Sequence, residues 1–338
     1  MTIPDVCAIT SEGADISHSS SRRIVVTGAS GFIGRHLVSK CIADGFEVIA
    51  LSRRERSSFG ATDVRIDDYR NAEEIAPLCR NADAVIHLAA RAHQVNEDAE
   101  SAAALYDAAN VDSAVAVALA SRLAGAKRFV LVSSIGVNGN ATHGIPFNSA
   151  DEPKPVDTYA KSKWKAEQAV AAELRDGPTD FVILRPPLVY GDGCPGNFAT
   201  LLRLVARAPI IPLGRVRSGR TFVYVENLVD AIVTASQHPA ASRRTFLVAD
   251  AQSLVLSEVV RILVLGLNRS PRIVVNVPVI FLQFAARLAG RADMLNKLTA
   301  ELLVDANAFS ASTGWVAPVA AERGLHETAS AYRRNKAG

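Results

Sequence analysis

The sequence predicts an α/β fold: a doubly wound parallel sheet with a smaller, mixed C-terminal lobe. Three observations predict it. Short β-branched runs alternate with helical stretches from Arg23 to about Pro187, the pattern of repeated strand-helix-strand units. A glycine-rich turn, Thr27-Gly28-Ala29-Ser30-Gly31-Phe32-Ile33-Gly34, follows the first apolar run and opens a helix. Beyond Pro187 glycine and proline become denser and the alternation fails, which marks a second, less regular lobe.

In chain order, residues 1–21 are polar and Ser-rich and read as a disordered extension. Residues 22–187 form the first domain. Its clearest strands are Ile24-Val25-Val26, Glu47-Val48-Ile49-Ala50, Ala84-Val85-Ile86-His87, Phe129-Val130-Leu131-Val132 and Phe181-Val182-Ile183-Leu184, with helices between them. Asp157 is placed to cap the helix beginning near Thr158, and Gly177-Pro178 to stop it. Residues 188–338 make up most of the second lobe, with some strands expected to return to the main sheet. The apolar stretch Val277-Pro278-Val279-Ile280-Phe281-Leu282 is too short to span a bilayer and reads as a packed helix of that lobe.

A chain of 338 residues can bury a large core, and a formal charge of +3 argues against a nucleic-acid surface. Cys7, Cys41, Cys79 and Cys194 show neither C-x-x-C nor metal-ligand spacing. They read as reduced thiols of a cytoplasmic protein without a metal site.

The glycine turn has the spacing G-x-x-G-x-x-G. Without β-carbons at Gly28, Gly31 and Gly34 the backbone can turn tightly against a pyrophosphate, and the helix start at Phe32 and Ile33 supplies aligned N–H donors. This is a Rossmann-type dinucleotide site. The second strand ends in Leu51-Ser52-Arg53-Arg54, where an NAD-selective site usually carries an acid. Arg53 can accept the 2′-phosphate of NADP, which tilts the expectation toward NADP over NAD. Solvated loop arginines are the bland alternative. Asp68, after the third strand region, is a candidate for the adenine amino group.

Tyr159 and Lys163 lie four residues apart, on one face of their helix, where an ammonium can favour a phenolate. That spacing alone arises by chance. Its weight comes from order: the glycine turn, then His87-Leu88-Ala89-Ala90 at a strand end, then Ser133-Ser134 after the next strand, then the pair.

This ordered set resembles the extended short-chain dehydrogenase/reductase family, and within it the nucleotide-sugar epimerase/dehydratase branch, over about Arg23 to Trp315. Ser134-Ile135-Gly136-Val137-Asn138-Gly139 is similar to the branch's S-x-x-V-Y-G, with Asn138 in the tyrosine position. The resemblance implies Ser134, Tyr159 and Lys163 as catalytic residues. Lys163 would also bind the nicotinamide ribose, and Leu88, Ala89 and Ala90 would line the cofactor. Ala160 replaces the commoner glycine after the tyrosine. Arg185-Pro186-Pro187-Leu188-Val189-Tyr190-Gly191 resembles the segment passing the carboxamide, which brings in Pro186 and Val189. Asn197, in Gly196-Asn197-Phe198, and Arg220, in a segment similar to R-x-x-x-x-V-x-D with Glu226 standing for or beside its acid, are the implied substrate residues.

The activity implied is NAD(P)-dependent chemistry at C4 of a nucleotide sugar, a UDP-hexose or UDP-N-acetylhexosamine, in surface-polysaccharide precursor synthesis. Both 4-epimerisation and 4-keto reduction use this apparatus. Dehydratases of the branch place an acidic pair after the catalytic hydroxyl, whereas Ile135-Gly136 follows here, so 4,6-dehydration is disfavoured. A non-catalytic cofactor-binding regulator is the reading from another class, and an aligned Ser134, Tyr159 and Lys163 set argues against it. The resemblance also allows a homodimer through helices flanking the sheet.

Overall fold

The structure, a computed structural model, describes residues 22–54, 60–91, 99–212, 218–268, 273–278, 281, 287–288 and 299–337. The expected extension 1–21 lies outside them. Seven strands form the main sheet: β1 (Arg23–Thr27), β2 (Glu47–Ser52), β3 (Thr62–Arg65), β4 (Ala84–His87), β5 (Arg128–Val132), β6 (Asp180–Arg185) and β11 (Arg244–Leu247). Their order is β11-β6-β5-β4-β1-β2-β3, and every pair is parallel. The order reverses beside β1, so β1 and β4 flank the crevice where ligands of such sheets bind.

The strands read as unbroken apolar runs because both faces are covered. Ile24 and Val26 point into one core with α1 (Phe32–Ala43) and α7 (Val225–Gln237). Val25 points into the other with α2 (Ala72–Ile75), α4 (Ser113–Leu123) and α5 (Thr158–Glu173). The same period of two divides Val130 and Val132 from Phe129 and Leu131. Each such buried side chain contributes roughly 1.5–3 kcal/mol.

Asp157 caps α5, its Oδ1 accepting the Ala160 N–H at 2.8 Å. The helix ends at Glu173, before Gly177-Pro178, with the buried Leu174 as its C-cap, its N–H bonded to Val170 O at 3.1 Å. The expected stop is therefore late by a turn. Residues Ala103–Leu123 are long and apolar enough to cross a membrane by length and composition. Ala114, Val117, Ala118 and Ala120 are nonetheless buried in the core under the sheet. This run joins α3 (Ala99–Tyr106) to α4 through a π-helical turn, Asp107–Asp112.

The second lobe is built from short pairs. β7 (Leu188–Tyr190) lies parallel to β10 (Phe222–Tyr224), and β9 (Gly219–Arg220) antiparallel to β12 (Leu254–Val255). β8 (Ile210–Ile211) pairs with β13 (Ile273–Val274). Around them pack α6 (Gly196–Arg207), α8 (Leu256–Leu267) and the C-terminal helix Ala321–Ala337. The apolar run at 277–282 lies mostly outside the described residues. Of the described residues, Phe281 is helical and exposed, its N–H donating to Pro278 O at 3.1 Å.

Candidate active site

The glycine turn sits where β1 meets α1. Gly28 has φ +67°, and a β-carbon there would lie 2.8 Å from the Ala89 nitrogen. At Gly34 a β-carbon would stand 2.3 Å from the Gly28 carbonyl oxygen. These positions therefore require glycine: the first lets the turn abut the β4 loop carrying Leu88, Ala89 and Ala90, the second seats α1 beneath it. Gly31 caps α1 without a side-chain acceptor, and the first turn, with Phe32 and Ile33, holds no acid. Its N–H groups and the helix dipole fit a pyrophosphate.

Tyr69 ties this turn to β2, donating its hydroxyl hydrogen to the Leu51 carbonyl at 2.7 Å and accepting the Gly28 N–H at 3.2 Å. Arg53 is exposed at the end of β2, with its charge felt at Tyr69. Asp68 lies in the loop after β3. It is exposed, and Arg70 holds it by a charged pair of 2.7 Å, with the carboxyl below its ordinary range. Its neighbour Tyr69 is the residue that reaches the glycine turn.

Across the crevice Ser134 follows β5 in extended conformation. Its Oγ accepts the Gly136 N–H at 3.1 Å, and its hydroxyl eases the pKa of Tyr159 downward. The strand end is fixed to its neighbour: the Ser133 N–H donates to Leu184 O and the Ile135 N–H to Pro186 O, at 2.7 and 2.9 Å. Tyr159, in the first turn of α5, meets Tyr106 edge-on at 6.1 Å.

Lys163 stands one turn further, buried, with Nζ donating to Val132 O at 3.0 Å. Burial pulls its ammonium down to about 8, against the opposing pull of Glu167. Burial, and then Asp157, push Tyr159 up to about 12, eased by the Ser134 hydrogen bond. The phenolate expected from the pairing is thus not the state of the chain alone. Both groups are desolvated, and the ammonium is turned to a carbonyl.

His87 closes β4, fully buried, bonded to Thr27 Oγ1 at 2.9 Å and stacked on Phe129. Burial and the Lys163 charge hold it down to about 3, so it is neutral. Two further polar residues support the site without having been legible in sequence. Asn110, in the π turn, accepts the Arg91 N–H at 2.7 Å and donates to Ser162 Oγ at 2.9 Å, lashing the β4 loop to α5. Glu167 lies one turn beyond Lys163 and forms a buried pair with Arg185. A buried Asn in an apolar helix and an acid at i+4 from Lys163 were the available signals.

The substrate-lobe candidates are less closely joined to this centre. Pro186 is buried beside the serine strand end, and Val189 is in β7. Asn197 is exposed in the first turn of α6. Arg220 is half-buried in β9, its Nη1 donating to Ala300 O at 2.8 Å, with burial lowering its pKa. Glu226 faces His36 of α1. No group of three or more potential metal ligands occurs among the described residues.

Residues 24–249 match the model of the NAD dependent epimerase/dehydratase family. The chain belongs to this family. The UDP-glucose 4-epimerase of Vibrio cholerae is 33% identical over 314 residues, covering 92% of this chain and 95% of its own length. The N-acetyl-alpha-D-glucosaminyl-diphospho-ditrans,octacis-undecaprenol 4-epimerase of Escherichia coli O157:H7 is 27% identical over 323 residues, 90% and 93% of the two chains. The fold resembles the UDP-glucose 4-epimerase of Thermus thermophilus solved with NAD, at a TM-score of 0.72 and 23% identity over 92% of this chain and 99% of that one. As a member of the epimerase/dehydratase family, this protein is an enzyme.

Proposed function

We infer that this protein is a 4-epimerase of a diphosphate-linked hexose, a UDP-hexose or UDP-N-acetylhexosamine, with Ser134, Tyr159 and Lys163 as its catalytic residues. The observation that carries the reading is the Lys163 Nζ bond to Val132 O, which sets α5, with Tyr159 in its first turn, against the strand end that carries Ser134. The two relatives above are both named for a hexose carried on a diphosphate, which supports the substrate class.

When bound, NAD(P) supplies the hydride acceptor and donor. Ser134 holds the C4 oxygen in line and Tyr159 exchanges its proton. A phenol near 12 is a proton donor at neutral pH, so it suits return of hydrogen to a C4 ketone; a positive charge beside it lets it act in the other direction. Lys163 holds the nicotinamide ribose. Arg220 and Asn197 take the diphosphate, a task that fits a guanidinium fork. Epimerisation then consists of removing hydrogen from C4 and returning it to the opposite face.

A second reading, 4-keto reduction with NADPH, is favoured by Arg53 and Arg54, which stand exposed where NAD-selective sites carry an acid. One experiment separates the two. Nucleotide released from purified protein is identified, and the protein is then incubated with UDP-glucose, UDP-N-acetylglucosamine and a 4-keto-6-deoxy sugar nucleotide. Isomer exchange without added cofactor supports epimerisation, and consumption of NADPH supports reduction. Tyr159→Phe is expected to lower turnover by roughly 10²- to 10⁴-fold. Unchanged turnover in that variant would overturn the mechanism.

A further inference from the structure

Behind the serine-tyrosine centre lies a polar network that neither the cofactor nor the sugar is expected to touch. Arg185, at the end of β6, binds Glu167 of α5 through Nε at 3.0 Å and Nη2 at 2.6 Å, with side chains only 4% and 1% exposed. Ser133 donates its hydroxyl hydrogen to Glu167 Oε1. The remaining Arg185 nitrogen, Nη1, donates to Asn138 Oδ1 at 2.9 Å, and Asn138 Nδ2 to Asn148 O at 3.0 Å. The guanidinium also lies over the Trp164 ring. Both oxygens of Glu167 are thus occupied, and Asn138, the residue in the family's tyrosine position, supplies the acceptor that completes the guanidinium.

The charges in this space are unequal. Lys163 and Arg185 are two buried cations, and Glu167 is the buried carboxylate paired with Arg185 and one turn from Lys163 on the same helix. The other titratable groups facing Lys163 do not replace it: His87 of β4 is neutral, and Tyr159 carries no charge near neutrality. An unmatched buried cation is costly and tends to lose its proton.

We propose that Glu167 is a positioning residue for the chemistry inferred above: it supplies the counter-charge that keeps Lys163 an ammonium, and through Ser133 and Arg185 it fixes the strand end that presents Ser134. The inference rests on that reading for its catalytic meaning but not for its test. Without the carboxylate, buried Lys163 loses the opposing charge on its own helix face, and its proton is released at lower pH. Tyr159 then loses the neighbouring charge, and the ribose its ammonium.

The test is Glu167→Gln in the full chain, with the 13Cε resonance of Lys163 followed against pH and assigned by its loss in Lys163→Arg. The midpoint, near 8 in the unaltered protein, is expected to fall by about one unit or more. The alkaline limb of kcat/KM should move down with it. Glu167→Gln leaves Arg185 unpaired and can fail to fold. The double variant Glu167→Gln, Arg185→Gln removes both charges, and there the midpoint should fall by less but still lie below that of the unaltered protein. A folded variant whose Lys163 midpoint is unmoved overturns the proposal, even where turnover drops. A moved midpoint in a protein that converts no sugar leaves the network standing and removes the proposed function instead.

Discussion

His36 Nδ1 lies 2.6 Å from Glu226 Oε1, while the other nitrogen of the same ring lies 3.1 Å from the carbonyl oxygen of Asp192. Both partners only accept, so the ring satisfies both by carrying two protons. Burial lowers its pKa and the bonds to Glu226 and Asp192 outweigh that, with a net rise above 6.5. The imidazolium links α1, which follows the glycine turn, to α7 and to the loop after β7. A raised folded-state pKa stabilises fully below pH 6.5, and the contribution is lost as pH rises through the folded value. Melting temperatures between pH 5 and 8 should show this loss, and His36→Gln should remove it. An identical pH dependence in the variant counts against the link.

Gly34→Ala places a methyl group 2.3 Å from the Gly28 carbonyl oxygen, against backbone that cannot step aside cheaply. The turn must shift, and its fit to pyrophosphate is lost. Affinity for NADH, measured by fluorescence titration, should fall tenfold or more, equivalent to about 1.4 kcal/mol. Circular dichroism should show the sheet retained.

Arg53→Ala tests cofactor choice. If the guanidinium receives a 2′-phosphate, affinity for NADPH should fall about tenfold while that for NADH stays level. Equal loss for both cofactors, or none for either, returns Arg53 to the status of a solvated loop residue.

Tyr190→Phe removes one hydroxyl from a buried cluster beside the β7–β10 pair. Tyr190 donates to Asp250 Oδ2 at 2.8 Å, and Asp250 Oδ1 accepts from Asn227 Nδ2 at 2.7 Å and the Tyr224 N–H at 3.0 Å. Burial holds the Asp250 carboxyl above its ordinary range. The variant leaves Oδ2 short of a donor at a cost of roughly 1–3 kcal/mol, read by urea denaturation. A loss below about 0.5 kcal/mol means that water replaces the hydroxyl.

What could be read from sequence was local. Asp157, Tyr159 and Lys163 share one helix, so a cap at three residues and a face at four fix their relation without knowledge of the fold. The glycine turn carried its strand and helix with it. Tyr69, Asn110 and Arg185 act across sequence separations of 18 to 52 residues, where no periodicity connects donor to acceptor. The Asp68–Arg70 pair spans only two residues, and spacing alone does not tell an adenine contact from a surface ion pair.

The main sheet is closed at one edge by β11, whose residues Arg244–Leu247 lie beside Val182–Arg185 of β6. A ribosome must therefore deliver about sixty more residues after β6 before that edge is covered. Until then the strand bearing Arg185 remains a bare border of the nascent protein. The two lobes cannot mature in succession like beads on a string, and an exchange of lobes between relatives would have to carry β11 back with the half it completes.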